Sequence, residues 1–172
     1  LCNMYDLMII GSGPAGISAA LTAKARNLNF IWFGSRALST KIEKAEKIMN
    51  YPGLPAVTGS EMQSVFLKQI DDCGITITES QVNSIYDCGG YFAAGADNEI
   101  YEAKAVIMTV GMTTTREIEG EARLLGCGVS YCATCDGALY KNKDIAVICA
   151  SPKFEDEVTF LAGLANHIYL SL

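Results

Sequence analysis

The stretch Tyr5-Asp-Leu-Met-Ile-Ile-Gly-Ser-Gly-Pro-Ala-Gly16 is a short apolar run that ends in a Gly-x-Gly-x-x-Gly turn. Apolar residues then recur at helical spacing, and a second apolar run covers residues 29–33. Strand, glycine turn, helix and strand together form a βαβ unit. In such a unit the first turn binds the pyrophosphate of a dinucleotide. The sequence therefore predicts an α/β fold, and it favours a dinucleotide site over a merely structural turn.

Each glycine of this turn has its own task in that interpretation. Gly11 permits the tight turn, Gly13 lets the backbone approach a pyrophosphate, and Gly16 lets the helix close on the strand. The helix N-terminus then directs its N–H groups and its dipole at the phosphates. One expected feature is missing, because no acid that would hold a ribose hydroxyl ends the second strand, which reads Phe33-Gly34-Ser35. We expect Ser35 or backbone groups to substitute for it.

The rest of the chain predicts an insertion and a second βαβ unit. Short strands are expected at 75–78, 82–86, 91–94 and 100–103, with a hairpin turn at Gly89-Gly90, followed by a buried strand at 105–110. A strand at 144–149, a helix and the start of a strand at 168–170 begin the second unit. We predict two Rossmann-like, three-layer α/β domains with a small β-meander insertion, over residues 1–114 and 115–172. We expect the second domain to be incomplete and the chain to be a fragment.

Two helical segments are predicted between these strands. An apolar stripe at helical spacing comprises Met62, Phe66, Ile70 and Cys73. The charged residues 36–50 are expected to be partly helical, with one face shared by Lys41, Lys44 and Lys47. A solvated face with local ion pairs explains these lysines better than a docking patch for an acidic partner.

Composition excludes several classes of protein. Half of the 172 residues are apolar, which is enough to bury a proper core. No apolar run reaches membrane-spanning length, and the first residues of the sequence lack the basic-then-apolar pattern of a signal peptide, so we expect no membrane association. The net charge of −6 argues against a nucleic-acid partner. Seven cysteines, scattered singly apart from one pair, suit a reducing cytoplasm better than a disulfide framework.

That one pair lies in Tyr131-Cys132-Ala-Thr-Cys135-Asp136-Gly137. Two thiols at this spacing can close a small disulfide ring, and a carboxylic acid beside them could exchange protons with the sulfurs. The alternatives are half of a zinc site or two small core residues. Zinc would need further ligands such as Cys127 or Cys149, but Cys149 lies in an apolar run that predicts a buried strand. The local sequence favours a redox dithiol and leaves the other two interpretations open.

The combination of a dinucleotide fold, an inserted meander and Cys-x-x-Cys-Asp suggests a flavin that exchanges electrons with a disulfide. The chain resembles the low-molecular-weight thioredoxin reductases over essentially its whole length. Four segments carry the resemblance: Gly-Ser-Gly-Pro-Ala-Gly (11–16), Asn-Tyr-Pro-Gly (50–53), Thr-Val-Gly (109–111) and Gly-Val-Ser-Tyr-Cys-Ala-Thr-Cys-Asp-Gly (128–137).

The resemblance implies a site for FAD on the first domain. The FAD pyrophosphate would be held by Gly11, Gly13, Pro14, Ala15 and Gly16. Asn50 would meet the flavin end, and Gln81, Val82 and Gly111 would lie along the cofactor. The remaining candidate cofactor residues are Ser12, Phe33, Gly34, Ser35 and Thr109. No metal site is expected.

The resemblance also implies the roles of the Cys pair and of its partners. Cys135 would face the flavin, Cys132 would attack the thioredoxin disulfide, and Asp136 would be the acid. Family members are usually homodimers, so a homodimer is expected.

One departure from the family concerns the electron donor. NADPH-dependent members carry a second glycine-rich turn, but residues 148–157 here read Ile-Cys-Ala-Ser-Pro-Lys-Phe-Glu-Asp-Glu. Pro152 lacks an N–H, and the acids at 155–157 would repel phosphates. The pattern looks like the ferredoxin-dependent flavin thioredoxin reductases, so we expect ferredoxin as the donor. The alternatives are an NADPH-dependent thioredoxin or peroxiredoxin reductase with a degenerate turn, and a non-catalytic flavin-binding or redox-sensing protein.

Overall fold

The structure is a computed structural model of the chain. It describes residues 4–111, 118–149 and 151–171. The strands are β1 (Tyr5–Ile10), β2 (Phe30–Phe33), β3 (Val82–Asp87), β4 (Phe92–Ala96), β5 (Glu99–Met108), β6 (Asp144–Ile148) and β7 (His167–Ser171). The α-helices are α1 (Pro14–Ala25), α2 (Thr40–Glu43), α3 (Gly59–Asp72), α4 (Glu121–Leu124), α5 (Ala133–Asp136) and α6 (Glu155–Ala162).

The chain divides into two compact units. The first comprises Leu1–Glu43 and Ser60–Thr115, and the second comprises Lys44–Gly59 and Arg116–Leu172. The predicted boundary between residues 114 and 115 falls outside the described residues and stays a prediction. Among the described residues, no helix has the length and apolar composition needed to cross a bilayer.

A mixed five-stranded sheet in the order β2-β1-β5-β4-β3 forms the centre of the first unit. β1 pairs in parallel with both β2 and β5, while β3, β4 and β5 pair antiparallel. The parallel part with α1 between β1 and β2 confirms the α/β fold predicted from the glycine turn. The antiparallel part contains three of the four short strands predicted for the meander, with the hairpin turn at Gly89 and Gly90, which both have positive φ. The strand predicted at 75–78 does not form, and Thr78 makes only an isolated parallel bridge with Phe33.

β5 corrects one detail of the predicted strands. Separate strands were expected at 100–103 and 105–110, but Glu99–Met108 is one strand. No glycine or proline interrupts it, and Lys104 at the expected break directs its ammonium to Asp6 Oδ1 at 2.7 Å. Residues Glu99–Ala103 pair with β4, whereas Ala103–Met108 pair with β1, so one strand belongs to both parts of the sheet.

The core lies on β1 and its two parallel neighbours. Leu7 through Ile10 are all buried, as expected for a central parallel strand covered on both faces. Met8 and Ile10 pack in a cluster with Ile31 and Phe33 of β2 and with alanines of β4 and β5. The Phe33 ring also meets Tyr101 of β5 edge to face, with ring centroids 5.0 Å apart.

Two predicted helical patterns are corrected. Met62, Phe66 and Ile70 are buried on α3, but Cys73 follows the end of the helix and is exposed. The charged segment 36–50 contains only the single-turn helix α2. Lys44 and Lys47 lie beyond that helix, so the helical face expected for the three lysines does not form.

The second unit contains a smaller βαβ arrangement. β6 and β7 pair in parallel, with α6 between them in the chain. This confirms the second βαβ pattern. The loop before α5 is held by the Val129 N–H, which donates to the Leu124 carbonyl at 2.9 Å, and by the Gly126 N–H, which donates to the Val129 carbonyl at 3.0 Å.

Ile9 and Ile100 provide a matched test of where this core lies. Ile9 is fully buried on β1, whereas Ile100 on β5 is 58% exposed. We expect Ile9→Ala to lower the free energy of unfolding by about 2–5 kcal/mol, because it leaves a cavity in a packed core. Ile100→Ala should change it by only about 0.5 kcal/mol. Urea denaturation of both variants checks this, and equal losses would contradict the assignment of β1 to the core.

Candidate functional site

The turn between β1 and α1 is fixed at the Gly11 carbonyl. Its oxygen accepts a hydrogen bond from Trp32 Nε1 at 2.8 Å, and it lies 3.1 Å from Thr109 Oγ1, whose nearer acceptor is the Ile10 carbonyl at 2.9 Å. Gly11 has φ of +111°, and a Cβ on Gly16 would overlap the Gly11 carbonyl oxygen. Both positions therefore require glycine. Sequence reasoning gave Gly11 and Gly16 these steric tasks, but it missed Trp32, which comes from the neighbouring strand.

Gly13 differs from these two glycines because its Cα faces open space. No atom lies within 4 Å of the position that a Cβ would occupy, and its φ is an ordinary −73°. It is the N-cap of α1 but provides no side-chain hydrogen bond to the first turn, where Pro14 and Ala15 follow. A concave, uncapped helix N-terminus is the arrangement that binds a pyrophosphate. The residues present therefore fit a dinucleotide.

Ser12 joins this turn to the loop after β2. Its buried hydroxyl donates to the Leu38 carbonyl at 3.1 Å and accepts from the Ser35 N–H at 3.0 Å. A Cβ on Gly34 would overlap the Ser12 side chain. The predicted residues Phe33, Gly34 and Ser35 thus adjoin the glycine turn, and the Ser35 N–H is already used within the protein.

A carboxylate from another part of the sequence lies at the same loop. Glu79 Oε1 accepts from the Arg36 N–H at 2.6 Å, just beyond the end of β2. The Arg36 guanidinium forms a bidentate pair with Asp71, both contacts measuring 3.0 Å. That pair raises the pKa of Arg36 and lowers the pKa of Asp71. Sequence reasoning sought an acid on β2 and missed Glu79, which is 43 residues away from Arg36.

The other predicted cofactor residues are more dispersed. Gln81 is exposed, and Val82 begins β3 with its side chain against the core cluster. Gly111 follows β5 with φ of +70° and open space at its Cα. Asn50 is exposed in the second compact unit.

The Cys pair forms a disulfide on a one-turn helix. Cys132 and Cys135 are bonded through their sulfurs, with Cα atoms 5.3 Å apart, and both residues are half-buried. Cys132 is the N-cap of α5, and its sulfur accepts from the Cys135 N–H at 3.2 Å. The Asp136 N–H donates to the Cys132 carbonyl at 3.1 Å. The N-cap and the single turn of α5 therefore carry both sulfurs and Asp136, with Asp136 directly after Cys135.

Asp136 receives a hydrogen bond that the sequence did not predict. Ser130 Oγ donates to Asp136 Oδ2 at 2.5 Å and accepts from the Cys132 N–H at 3.1 Å. Tyr140 lies in the same surroundings: its burial, and then the negative charges of Asp136 and Glu46, raise its pKa. Ser130 stands in the quoted Cys motif, so its proximity in sequence was the available signal.

α5 and the residue that follows it pack against α6 and the segment after it. A Cβ on Gly137 would come within 2.9 Å of the Phe160 ring and 3.2 Å of Leu164, so the chain passes close to these side chains. Thr134 Oγ1 lies 3.3 Å from Glu157 Oε2 on α6 and donates to it. These contacts fix the helix that carries the disulfide.

The turn after β6 differs from the turn after β1 because its own side chains occupy it. Ser151 Oγ accepts from the Lys153 N–H at 3.4 Å, and the Ser151 carbonyl accepts from the Phe154 N–H at 3.1 Å. Pro152 has no N–H to offer. The buried Cys149 thiol donates to the same Ser151 carbonyl at 3.2 Å. Of residues 152–154, Pro152 thus has no N–H and the other two use theirs within the turn.

Metal ligation finds no support at the cysteines. Cys149 is buried at the end of β6, and the exposed Cys127 thiol donates to Glu46 Oε1 at 3.7 Å. In the part of the chain that the structure describes, no three His, Cys, Asp or Glu side chains are grouped to hold a metal ion.

Comparison with known proteins agrees with this geometry. The family described as "Pyridine nucleotide-disulphide oxidoreductase" matches residues 5–152. A thioredoxin reductase of Helicobacter pylori is 35% identical over 171 residues, covering 97% of this chain and 55% of the relative. A thioredoxin reductase of Bacillus subtilis is 30% identical, covering 96% of this chain and 53% of the relative. The chain thus spans about half the length of the curated relatives it matches.

Two solved structures extend the comparison. A ferredoxin-flavin thioredoxin reductase from Clostridium acetobutylicum is 43% identical, with a TM-score of 0.65, covering 98% of this chain and 58% of that one. Thioredoxin reductase from Streptococcus pyogenes is 32% identical, with a TM-score of 0.81, covering 97% and 55%. These relatives are FAD-binding flavoproteins. The chain belongs to the pyridine nucleotide-disulphide oxidoreductase family, and over nearly its whole length it is similar to thioredoxin reductases.

Proposed function

We propose that this protein is a flavoprotein disulfide oxidoreductase that reduces thioredoxin through Cys132 and Cys135, with electrons from ferredoxin. The observation that carries the proposal is the disulfide on a single helical turn that ends in Asp136. Such a couple needs two electrons and two protons, and the chain provides an acid beside the sulfurs.

The glycine turn after β1 is where FAD would bind. The open space at Gly13 and the uncapped start of α1 fit its pyrophosphate. Glu79 lies at the loop after β2, where it could accept a hydrogen bond from a ribose hydroxyl in place of the missing acid. When bound, the flavin accepts electrons singly or in pairs, which links a one-electron donor to a two-electron disulfide.

The disulfide chemistry follows from the chain's own residues. Reduction of the Cys132–Cys135 bond takes two electrons and two protons and gives two thiols. The Cys132 thiolate attacks a thioredoxin disulfide, so that a mixed disulfide forms and one thioredoxin thiolate leaves. Cys135 then attacks the mixed disulfide at Cys132, which re-forms the original bond and releases the second thioredoxin thiolate. Asp136 holds and passes the protons that these sulfurs gain and lose.

The turn after β6 supports ferredoxin over NADPH as donor. A nucleotide pyrophosphate needs free amides, and residues 152–154 offer none, because their N–H groups are absent or used. Glu155, Asp156 and Glu157 add three negative charges in the first turn of α6. A one-electron protein donor would deliver its electrons in two steps without this turn.

Assembly and location complete the proposal. We propose a homodimer, as in the family, and a reducing compartment such as the cytoplasm. Four described cysteines remain free beside the disulfide: Cys73, Cys88, Cys127 and Cys149. Free thiols that persist in a folded protein suit a reducing compartment.

An anaerobic titration of the FAD-loaded protein tests the donor. Flavin absorbance is followed while NADPH is added first and reduced ferredoxin second. We expect NADPH to leave the flavin oxidised and ferredoxin to bleach it, because the turn after β6 does not admit a pyrophosphate. Prompt bleaching by stoichiometric NADPH would restore an NADPH-dependent reductase. If neither donor bleached the flavin, the non-catalytic alternative would replace the proposal.

Gly13→Ala tests the cofactor site. A Cβ at this position meets no protein atom, so we expect the free energy of unfolding of the apoprotein to change by less than about 1 kcal/mol. The same methyl group would occupy the space of the pyrophosphate, so FAD affinity should fall by at least about tenfold. Gly163→Ala is the control, since its φ is −75° and its Cβ would have ordinary contacts. Unchanged FAD binding by fluorescence titration of Gly13→Ala would refute the assignment.

Cys132→Ser tests the attacking sulfur. We expect this variant to lose thioredoxin reduction while its flavin remains reducible, because only the thiolate exchanges with a disulfide. Cys127→Ser, which removes an exposed thiol in the same compact unit, should reduce thioredoxin at the unaltered rate. Thioredoxin reduction at the normal rate by Cys132→Ser would show that the nucleophile is assigned wrongly.

A further inference from the structure

Ser130 connects the backbone of the disulfide helix to its acid. The hydroxyl accepts from the Cys132 N–H at 3.1 Å and donates to Asp136 Oδ2 at 2.5 Å. A hydroxyl has one proton and two lone pairs, so it makes both bonds at once. The Cys132 carbonyl is a second acceptor within reach at 3.4 Å, but the shorter bond to a carboxylate is the stronger one.

The fold brings these groups together before any substrate binds. The turn at 124–129 fixes the approach to Ser130 through two backbone hydrogen bonds, of 2.9 and 3.0 Å. On the other side, the N–H of Asp136 is bonded to the Cys132 carbonyl at 3.1 Å. Ser130 and Asp136 are both half-buried, so water competes less for their bond than on an open surface.

Other carboxylates lie in the same compact unit as Asp136, and the Ser130 hydroxyl orients the Asp136 carboxylate. Burial raises the pKa of Tyr140 most, and the charges of Asp136 and Glu46 raise it further, so two carboxylates act on one phenol. Glu157 of α6 is a third acid, and it receives the Thr134 hydroxyl. The Ser130 hydroxyl donates to Oδ2 of Asp136 and so limits the rotation of the carboxylate. Oδ1 of Asp136 does not take part in this bond.

We propose that Ser130 is a positioning residue for the disulfide chemistry, acting through Asp136 and not through contact with a substrate. The inference rests on the proposed function, because it assigns Asp136 the role of proton donor to the sulfurs. Without the hydroxyl, the carboxylate rotates away from the orientation in which proton transfer is fast.

The reaction that tests this needs neither flavin nor thioredoxin. A dithiothreitol thiolate attacks Cys132 Sγ, the S–S bond breaks, and its electron pair moves to Cys135 Sγ, which takes a proton from Asp136. The second dithiothreitol thiol then attacks the reagent's own sulfur in this mixed disulfide, which closes the cyclic disulfide and releases the Cys132 thiolate; the proton of that thiol passes through solvent to Cys132. Solvent returns the proton to Asp136, so the protein gains two electrons and two protons and the reagent loses them.

The experiment is a double-mutant cycle on the oxidised protein. The rate at which dithiothreitol opens the Cys132–Cys135 bond is measured by alkylation and mass analysis of the peptide that carries both cysteines. We expect Ser130→Ala to slow this rate about tenfold, Ser130→Thr to retain most of it, and Ser130→Ala to add less than about twofold in a background of Asp136→Asn. Thr159→Ala is the matched control, because it removes a hydroxyl that bonds only the Glu155 carbonyl in the same compact unit.

Two results would overturn the proposal. Equal slowing by Ser130→Ala with and without the Asp136 carboxylate would mean that the serine acts only on the backbone. A rate for Ser130→Ala equal to that of Thr159→Ala would mean that the hydroxyl has no role in the exchange. If Ser130→Thr is itself slow, the cycle in the two backgrounds decides between these explanations. Failure of thioredoxin reduction or of flavin bleaching would refute the proposed function and leave this rate measurement unaffected.

Discussion

The carbonyl oxygen of Gly11 is the point on which the first compact unit depends. It accepts from Trp32 of β2 and lies 3.1 Å from the hydroxyl of Thr109, the residue that follows β5, which also reaches the Ile10 carbonyl at 2.9 Å. The same oxygen lies where a side chain on Gly16 would have to go, so it also sets how closely α1 approaches β1. One atom therefore links three parallel strands and a helix, and it does so directly beside Gly13. We propose that a dinucleotide binds in the open space at Gly13. That space follows from this packing, because the close approach of α1 to β1 places the start of the helix at the carboxyl end of the strand.

The two turns that follow β1 and β6 illustrate how the same βαβ topology is used differently. After β1, glycines leave the helix N-terminus uncapped and concave. After β6, Ser151 uses the local amides, Pro152 removes one, and α6 begins with three acids. Topology alone would assign a phosphate site to both turns. The difference lies in which amides are still free, and it is the ground on which we propose FAD at the first turn and no nicotinamide nucleotide at the second.

The local patterns of the sequence predicted the strands of both βαβ units and the steric roles of Gly11 and Gly16, because periodicity and glycine chemistry act within a few residues. What the sequence could not predict depends on contacts between distant segments. Glu79 reaches the loop after β2 only because Thr78 pairs beside Phe33. The lysine face failed because α2 ends after one turn, which spacing alone does not show. The bond from Ser130 to Asp136 required the turn at 124–129, whose geometry no residue pattern specified.

Three serines in this protein each accept a hydrogen bond from a backbone amide in a loop. One of them, Ser130, also donates to a carboxylate next to the disulfide. Ser12 accepts the Ser35 N–H, Ser130 accepts the Cys132 N–H, and Ser151 accepts the Lys153 N–H. In each case the hydroxyl satisfies an amide that a loop would otherwise leave to water. The hydroxyl proton distinguishes them: that of Ser12 goes to the Leu38 carbonyl, which cannot titrate, whereas that of Ser130 goes to a carboxylate one position after a redox sulfur. A structural serine would serve equally well with any acceptor. The acceptor at Ser130 is Asp136, which we propose as the acid of the site, so the hydroxyl that accepts from the loop amide also donates to the carboxylate whose orientation the proposal concerns.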